Sequence, residues 1–110
     1  MATEQLKRQL LDRCETDLIQ FSEVEYVARD VIGIRSRPER RKIIVDAIME
    51  LVAEGRVEVG DAVDIGGFVD FRAWPDRGSD LRRRLSTATD GIARPELGEG
   101  FWLAKPLAEA

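Results

Sequence analysis

Five cations crowd into eight residues: Arg35, Arg37, Arg40, Arg41 and Lys42, opposed within that stretch only by Glu39. Guanidinium groups bind phosphate, or the edge of guanine, through paired donors. A second cluster, Arg82-Arg83-Arg84, could do the same. Consecutive helical positions point in different directions, so these three cannot share one face. A solvated helix is the favoured reading there, with an anion contact as the sharper one. Arg83-Arg84-Leu85-Ser86 also fits a basophilic kinase pattern. A four-residue match has little specificity, and Leu85 is expected in the core.

Two carboxylate pairs stand at near spacing, Asp76 with Asp80 and Glu96 with Glu99. Such pairs can do acid–base work or hold Ca²⁺ or Mg²⁺. Neither comes with the rest of a site. No EF-hand spacing, P-loop, dinucleotide fingerprint or nucleophile elbow is present. Asp80 fits the first turn of a helix, where an acid suits the backbone dipole. The chain has no histidine, which removes His metal ligands and His-based triads. Its one cysteine, Cys14, allows neither an internal disulfide nor a multi-Cys zinc site. No enzyme activity, metal or cofactor is therefore expected.

Trp74 and Trp102 flank the segment 75–99. Core filling is the favoured role for both, and an exposed binding platform is the sharper one, because Trp is enriched in binding hot spots.

Charge sets a limit on partners. The 17 basic side chains against 21 acidic ones give a net charge of −4, divided evenly between the two halves. Such a chain has no global attraction for nucleic acid or anionic lipid, and only a local patch could supply one. Leu, Ile, Val and Phe supply 31 of 110 residues, above the roughly one-fifth below which disorder is the default. No apolar run approaches a membrane span. The first residues lack the apolar stretch of a signal peptide. A cytoplasmic single domain over 1–110 is expected, with a three-helix part at 1–55 and a smaller sheet part at 56–110.

The elements follow from periodicity. Leu6, Leu10, Cys14, Leu18 and Phe21 recur every three or four residues and predict a first helix over 4–21. Cys14 on that stripe reads as a buried, inert thiol. No strand is expected before the second helix. Ser22-Glu23-Val24-Glu25 has the form of a capping box and predicts a second helix over about 23–32, ended by Gly33. Ser36-Arg37-Pro38-Glu39 is another box, opening a third helix over about 37–54, ended by Gly55. The short link at 33–36 joins these two helices as in a helix-turn-helix.

Beyond Gly55 the apolar period drops to two, predicting strands near 56–59 and 68–74. Gly66-Gly67 invites a two-residue hairpin turn. That register would set Val63 opposite Asp70 and Asp64 opposite Val69. A longer loop across 60–67 is preferred for that reason. Ser79 is expected to cap a short helix over about 80–87. A Gly- and Pro-rich loop over 88–100 and a last strand at 100–104 complete the chain. Five of seven aromatics lie beyond residue 67, as though the sheet needs aromatic bulk to close its core.

Three helices followed by strands resemble the winged-helix family in element order, over about residues 4–74. The resemblance implies an α+β fold with three N-terminal helices packed on a small antiparallel sheet, here with a short extra helix before the last strand. It further implies that the third helix reads DNA and that a strand pair forms a wing.

The helical wheel speaks against that use. Arg37, Arg40 and Arg41 extend the apolar arc of Ile43, Ile44, Ala47, Ile48, Leu51 and Val52. The opposite side carries Glu39, Asp46, Glu50 and Glu54, which a helix in the major groove would press toward phosphates. The favoured reading pairs these Arg with acids of the first two helices, such as Asp30, Glu23 or Glu25. The function expected is thus a non-catalytic protein-interaction module. Its surface would be the 75–99 segment with Trp74, Trp102, Glu96 and Glu99, together with the acidic face of the third helix. The alternative is a DNA-binding transcriptional regulator using Arg35, Arg37, Arg40, Arg41, Lys42 and Arg82–Arg84, dimeric through the first helix or the last strand.

Overall fold

A computed structural model describes residues 1–92, 95–96 and 99–106. Its elements in chain order are α1 (Ala2–Cys14), β1 (Ile19–Gln20), α2 (Phe21–Tyr26), a π-helical turn (Val27–Val31), α3 (Arg37–Ala53), β2 (Glu58–Ile65), β3 (Phe68–Ala73), α4 (Gly78–Asp90) and β4 (Trp102–Ala104). The class is α+β, with a four-stranded antiparallel sheet in the order β1-β4-β2-β3.

The first helix is shorter than its periodicity predicts. Leu6, Leu10 and Cys14 are buried on one stripe, but the helix stops at Cys14. Asp17 then accepts the Leu18 backbone N–H at 2.8 Å, and Ile19–Gln20 pair with β4. Leu18 and Ile19 keep helical spacing, yet pairing with a strand some eighty residues away outweighs it. A strand therefore does stand before the second helix.

The box at Ser22–Glu25 does not form either. No side chain caps α2, whose first N–H, that of Phe21, donates to the Phe101 carbonyl at 3.0 Å. Glu25 is drawn away to two arginines described below. The Ser36 box holds in its first half: Ser36 Oγ accepts the Glu39 N–H at 3.4 Å and opens α3. The second helix is not one α-helix to residue 32: α2 stops at Tyr26 and the π-helical turn continues to Val31, just before Gly33. Gly55 follows the end of α3 as expected.

Apolar residues from all four helices meet the inner face of the sheet. Ile19, Val59 and Leu103 supply that face and are buried with Leu6, Phe21, Ile44, Ile48, Leu51 and Leu85. Phe21 stacks on Phe101 with ring centroids 5.0 Å apart. Cys14 lies in this core as expected. Burial, then the charges of Glu23 and Glu15, push its thiol up to about 11. A group that holds its proton longer folded than unfolded favours the folded state only while protonated. Stability carried by Cys14 is therefore lost as pH rises from about 9 toward 11. A Cys14→Ala variant should lose this part of the alkaline decline in Tm. The native thiol should react with iodoacetamide far more slowly than in urea.

β2 does two jobs. Glu58, Val59 and Gly60 pair with β4, while Gly60 to Ile65 pair with β3. Past Gly60 the hairpin therefore leaves the sheet as a two-stranded ribbon. Its turn is the two-residue Gly66-Gly67, both at positive φ (59° and 90°), which the twist of a hairpin favours. Val63 does face Asp70, and Asp64 faces Val69. The longer loop at 60–67 is thus a wrong expectation. It assumed that one face of the hairpin is buried, whereas most of the ribbon is open to solvent and an apolar–carboxylate pair there costs little.

The fourth helix also exceeds its expected range. It starts at Gly78 with no side-chain cap, so Ser79 does not cap it, and it runs to Asp90 with Leu81, Leu85 and Thr89 buried. The expected loop at 88–100 is helical through Asp90, and its positions 93, 94, 97 and 98 lie outside the described residues. No described helix is long and apolar enough to cross a membrane.

Candidate protein-interaction surface

The basic cluster at the start of α3 divides in two. Arg40 and Arg41 point inward and are over nine-tenths buried. Glu25, 3 % exposed, receives both: Arg40 Nε donates to its Oε1, and Arg41 Nε donates to its Oε2 at 2.9 Å. Both guanidinium groups also donate to backbone. Arg40 donates to the carbonyls of Ile34 and Arg35 at 2.9 and 3.1 Å. Arg41 donates to the carbonyl of Thr89, to that of Ile92 at 2.7 Å, and lies over the Phe21 ring. These two arginines tie α2, the 33–36 link and the end of α4 together. Neither guanidinium is offered to a nucleic acid at the surface, and both pair with an acid of the second helix, as the helical wheel implies.

Arg35, Arg37 and Lys42 are exposed. Lys42 lies 3.9 Å from Asp46, and the side chains of Arg35 and Arg37 have no ion pair among the described residues. Arg37, Lys42 and Arg82 line a shallow cleft of about 470 Å³ between α3 and α4. The second basic cluster diverges, as its spacing requires. Arg82 binds Asp46 at 3.0 Å, Arg83 approaches Asp80 at 3.8 Å, and Arg84 binds Asp76 at 2.7 Å. The two carboxylates of the Asp76/Asp80 pair thus serve different arginines, and no cluster of potential metal ligands occurs among the described residues.

The acidic face of α3 is less open than its sequence suggests. Lys7 of α1 reaches Glu50 at 3.2 Å and Glu54 at 2.7 Å. The Glu54 carboxyl is held below its usual range, first by the Lys7 hydrogen bond. Of the four acids expected to face a partner, Asp46, Glu50 and Glu54 already have cations of this chain.

Trp74 is a correction. It is 5 % exposed and packs in the core, with the Arg84 guanidinium 4.1 Å over its ring. It forms no platform. Trp102 is half-buried and sits on the outer sheet face. Glu96 and Glu99 are exposed, but the Glu99 carboxylate turns back to accept the Glu96 N–H at 2.9 Å.

The surface missed by sequence reasoning is the ribbon. Strand alternation sorts its residues by face. Trp102, Ala73, Ala62, Phe71 and Val69 share the outer face, because Gly60 pairs with both Trp102 and Ala73, and Ala62 pairs with Phe71. Val63, Ile65 and Phe68 stand on the other face, beyond the reach of the helices. Ile65 is 50 %, Phe68 79 % and Val69 60 % exposed. One signal for this was present: Gly66-Gly67 between two alternating runs places apolar side chains on both faces of a short hairpin. No protein-family model matches the chain, and no curated protein or solved structure matches it.

Proposed function

We propose that this chain is a small, non-catalytic, cytoplasmic protein-interaction module whose contact surface is the projecting β2–β3 ribbon. The observation that carries this reading is the exposure of Ile65, Phe68 and Val69 together at its tip. Large apolar side chains clustered on an arm away from the core cost solubility and mark a surface that a partner covers. Val69 also belongs to the outer sheet face, along which Phe71 and Trp102 continue an apolar surface, while Ile65 and Phe68 stand on the opposite face.

The winged-helix resemblance supplies the competing reading, a DNA-binding regulator in which the ribbon acts as the wing. Arg35 and Arg37, exposed at the start of α3, favour it. Two observations count against it. Arg40 and Arg41 are consumed by Glu25. The ribbon carries Asp61, Asp64 and Asp70 against Arg72 alone, a charge that phosphates repel.

A photo-crosslinking residue at position 68, in the native cell, tests the proposal. Protein adducts at 68 but not at 37 are expected, with identical adducts recovered from independent cultures. Duplex DNA binding that falls about 10³-fold between about 50 and 200 mM salt, is lost in Arg35→Ala/Arg37→Ala, and comes without adducts at 68 would overturn it.

A further inference from the structure

We infer that the partner of the ribbon is a second copy of this chain, joined edge to edge through β3 in one particular register. The inference rests on the interaction reading above and names its occupant. β3 is the outermost strand of the sheet, so one of its edges has no strand beside it among the described residues. An open edge strand is a template for a further strand.

The hydrogen-bond phase of that edge is fixed. Trp74 N–H donates inward to the Val59 carbonyl at 2.8 Å, and Val59 stands directly opposite Trp74 in the register that pairs Gly60 with Ala73. In an antiparallel ladder the backbone polar groups of alternate residues point the same way. Those of Phe68, Asp70 and Arg72 therefore face β2, and those of Val69, Phe71 and Ala73 face outward.

Two copies related by a two-fold axis can pair only through these outward residues. With Phe71 on the axis, Phe71 meets Phe71 of the second copy and Val69 meets Ala73, twice. Asp70 then stands directly opposite Arg72 of the other copy, also twice. Directly opposed residues that do not exchange backbone bonds, as these are, lie at the closer Cα spacing. The neighbouring allowed registers put Asp70 against Asp70, or Arg72 against Arg72. Opposite charges across strands stabilise and like charges destabilise, so the strand's own charges select one register. Within one chain Asp70 and Arg72 already lie 3.2 Å apart and are more than half exposed, free to exchange partners across the axis. The same pairing extends the apolar outer face, since Val69, Phe71 and Ala73 point there together. Such an axis is isologous and closes, so the product is a dimer, not a filament. Five paired residues per copy, Val69 to Ala73, make a small interface, so association should depend visibly on concentration.

Sedimentation equilibrium up to the solubility limit tests this, with amide hydrogen exchange alongside. Wild type should dimerise, and the amides of Val69, Phe71 and Ala73 should gain protection as concentration rises. Asp70→Arg alone and Arg72→Asp alone should each weaken self-association at least about tenfold, because two attractive pairs become repulsive. An equimolar mixture of the two variants should form a heterodimer, and the double swap Asp70→Arg/Arg72→Asp should dimerise again. These positions are exposed, so folding is not at stake. A wild-type chain that stays monomeric overturns the inference, as does a dimer indifferent to the charge reversals. If the chain is monomeric yet residue 68 crosslinks to another protein, the interaction reading survives and only the self-pairing falls. If neither occurs, both fall.

Discussion

Glu25→Gln is expected to destabilise the chain by about 3–5 kcal/mol, a large part of a small domain's total stability. Glu25 is 3 % exposed and holds both oxygens against buried guanidinium groups. Removing its charge takes the shared carboxylate from two buried guanidinium groups, and losing a buried counter-charge costs more than the pair contributed. The amide also presents a donor where a guanidinium donates. The other bonds of these guanidinium groups go to the carbonyls of Ile34, Arg35, Thr89 and Ile92, which carry no compensating charge. Urea unfolding monitored by circular dichroism measures the change. Arg37→Ala is the control: it lies in the first turn of α3, as Arg40 does, but is exposed, and should shift stability by less than about 0.5 kcal/mol. Equal effects from the two variants would show that Glu25 does not organise the junction of α2, α3 and α4.

Gly60→Ala should dislodge β3 from the sheet. A Cβ at this position would lie 2.1 Å from the Arg72 carbonyl oxygen and 2.8 Å from the Ala73 Cα. Both are backbone atoms, so no rotamer can relieve the overlap. Gly60 is also the one residue of β2 with strand partners on both sides, Ala73 and Trp102. The strand must therefore bend away, or β3 must leave. A loss of about 1–3 kcal/mol is expected if the sheet absorbs the strain. If β3 is released instead, global stability falls less, but the amides of Asp70 and Arg72 lose protection and self-association disappears. Hydrogen exchange distinguishes the two. Gly91→Ala is the matched control, since its Cβ would meet nothing within 4 Å and its φ is −80°. It should be neutral, or stabilising by about 0.5 kcal/mol.

Much of the helical half was legible from residue spacing. The bounds of α3, the Ser36 cap, Gly33 and Gly55 all follow from local chemistry, where neighbours in sequence are also neighbours in space. The inward turn of Arg40 and Arg41 was legible too, because both extend the apolar arc of their helix. What the periodicity could not supply was the competition between local and distant partners. Leu18 and Ile19 fit a helix, and β4 takes Ile19 into a strand. Ser22 and Glu25 fit a capping box, and two guanidinium groups take Glu25.

The candidate surface divides along the same line. Residue types alone exclude histidine and multi-cysteine chemistry, and the acidic balance limits any nucleic-acid partner to a local patch. Those are properties of residue type and need no coordinates. Which aromatics are available depends on long-range packing. Trp74 is covered by Arg84 and the core, whereas Phe68, in a run that reads as a half-buried strand, stands in solvent. The physical reason is the length of β4. It ends its pairing with β2 at Gly60, so everything beyond Gly60 leaves the helices behind. A pattern of apolar residues states that they seek cover, and where the strand next to them stops states whether this chain provides it.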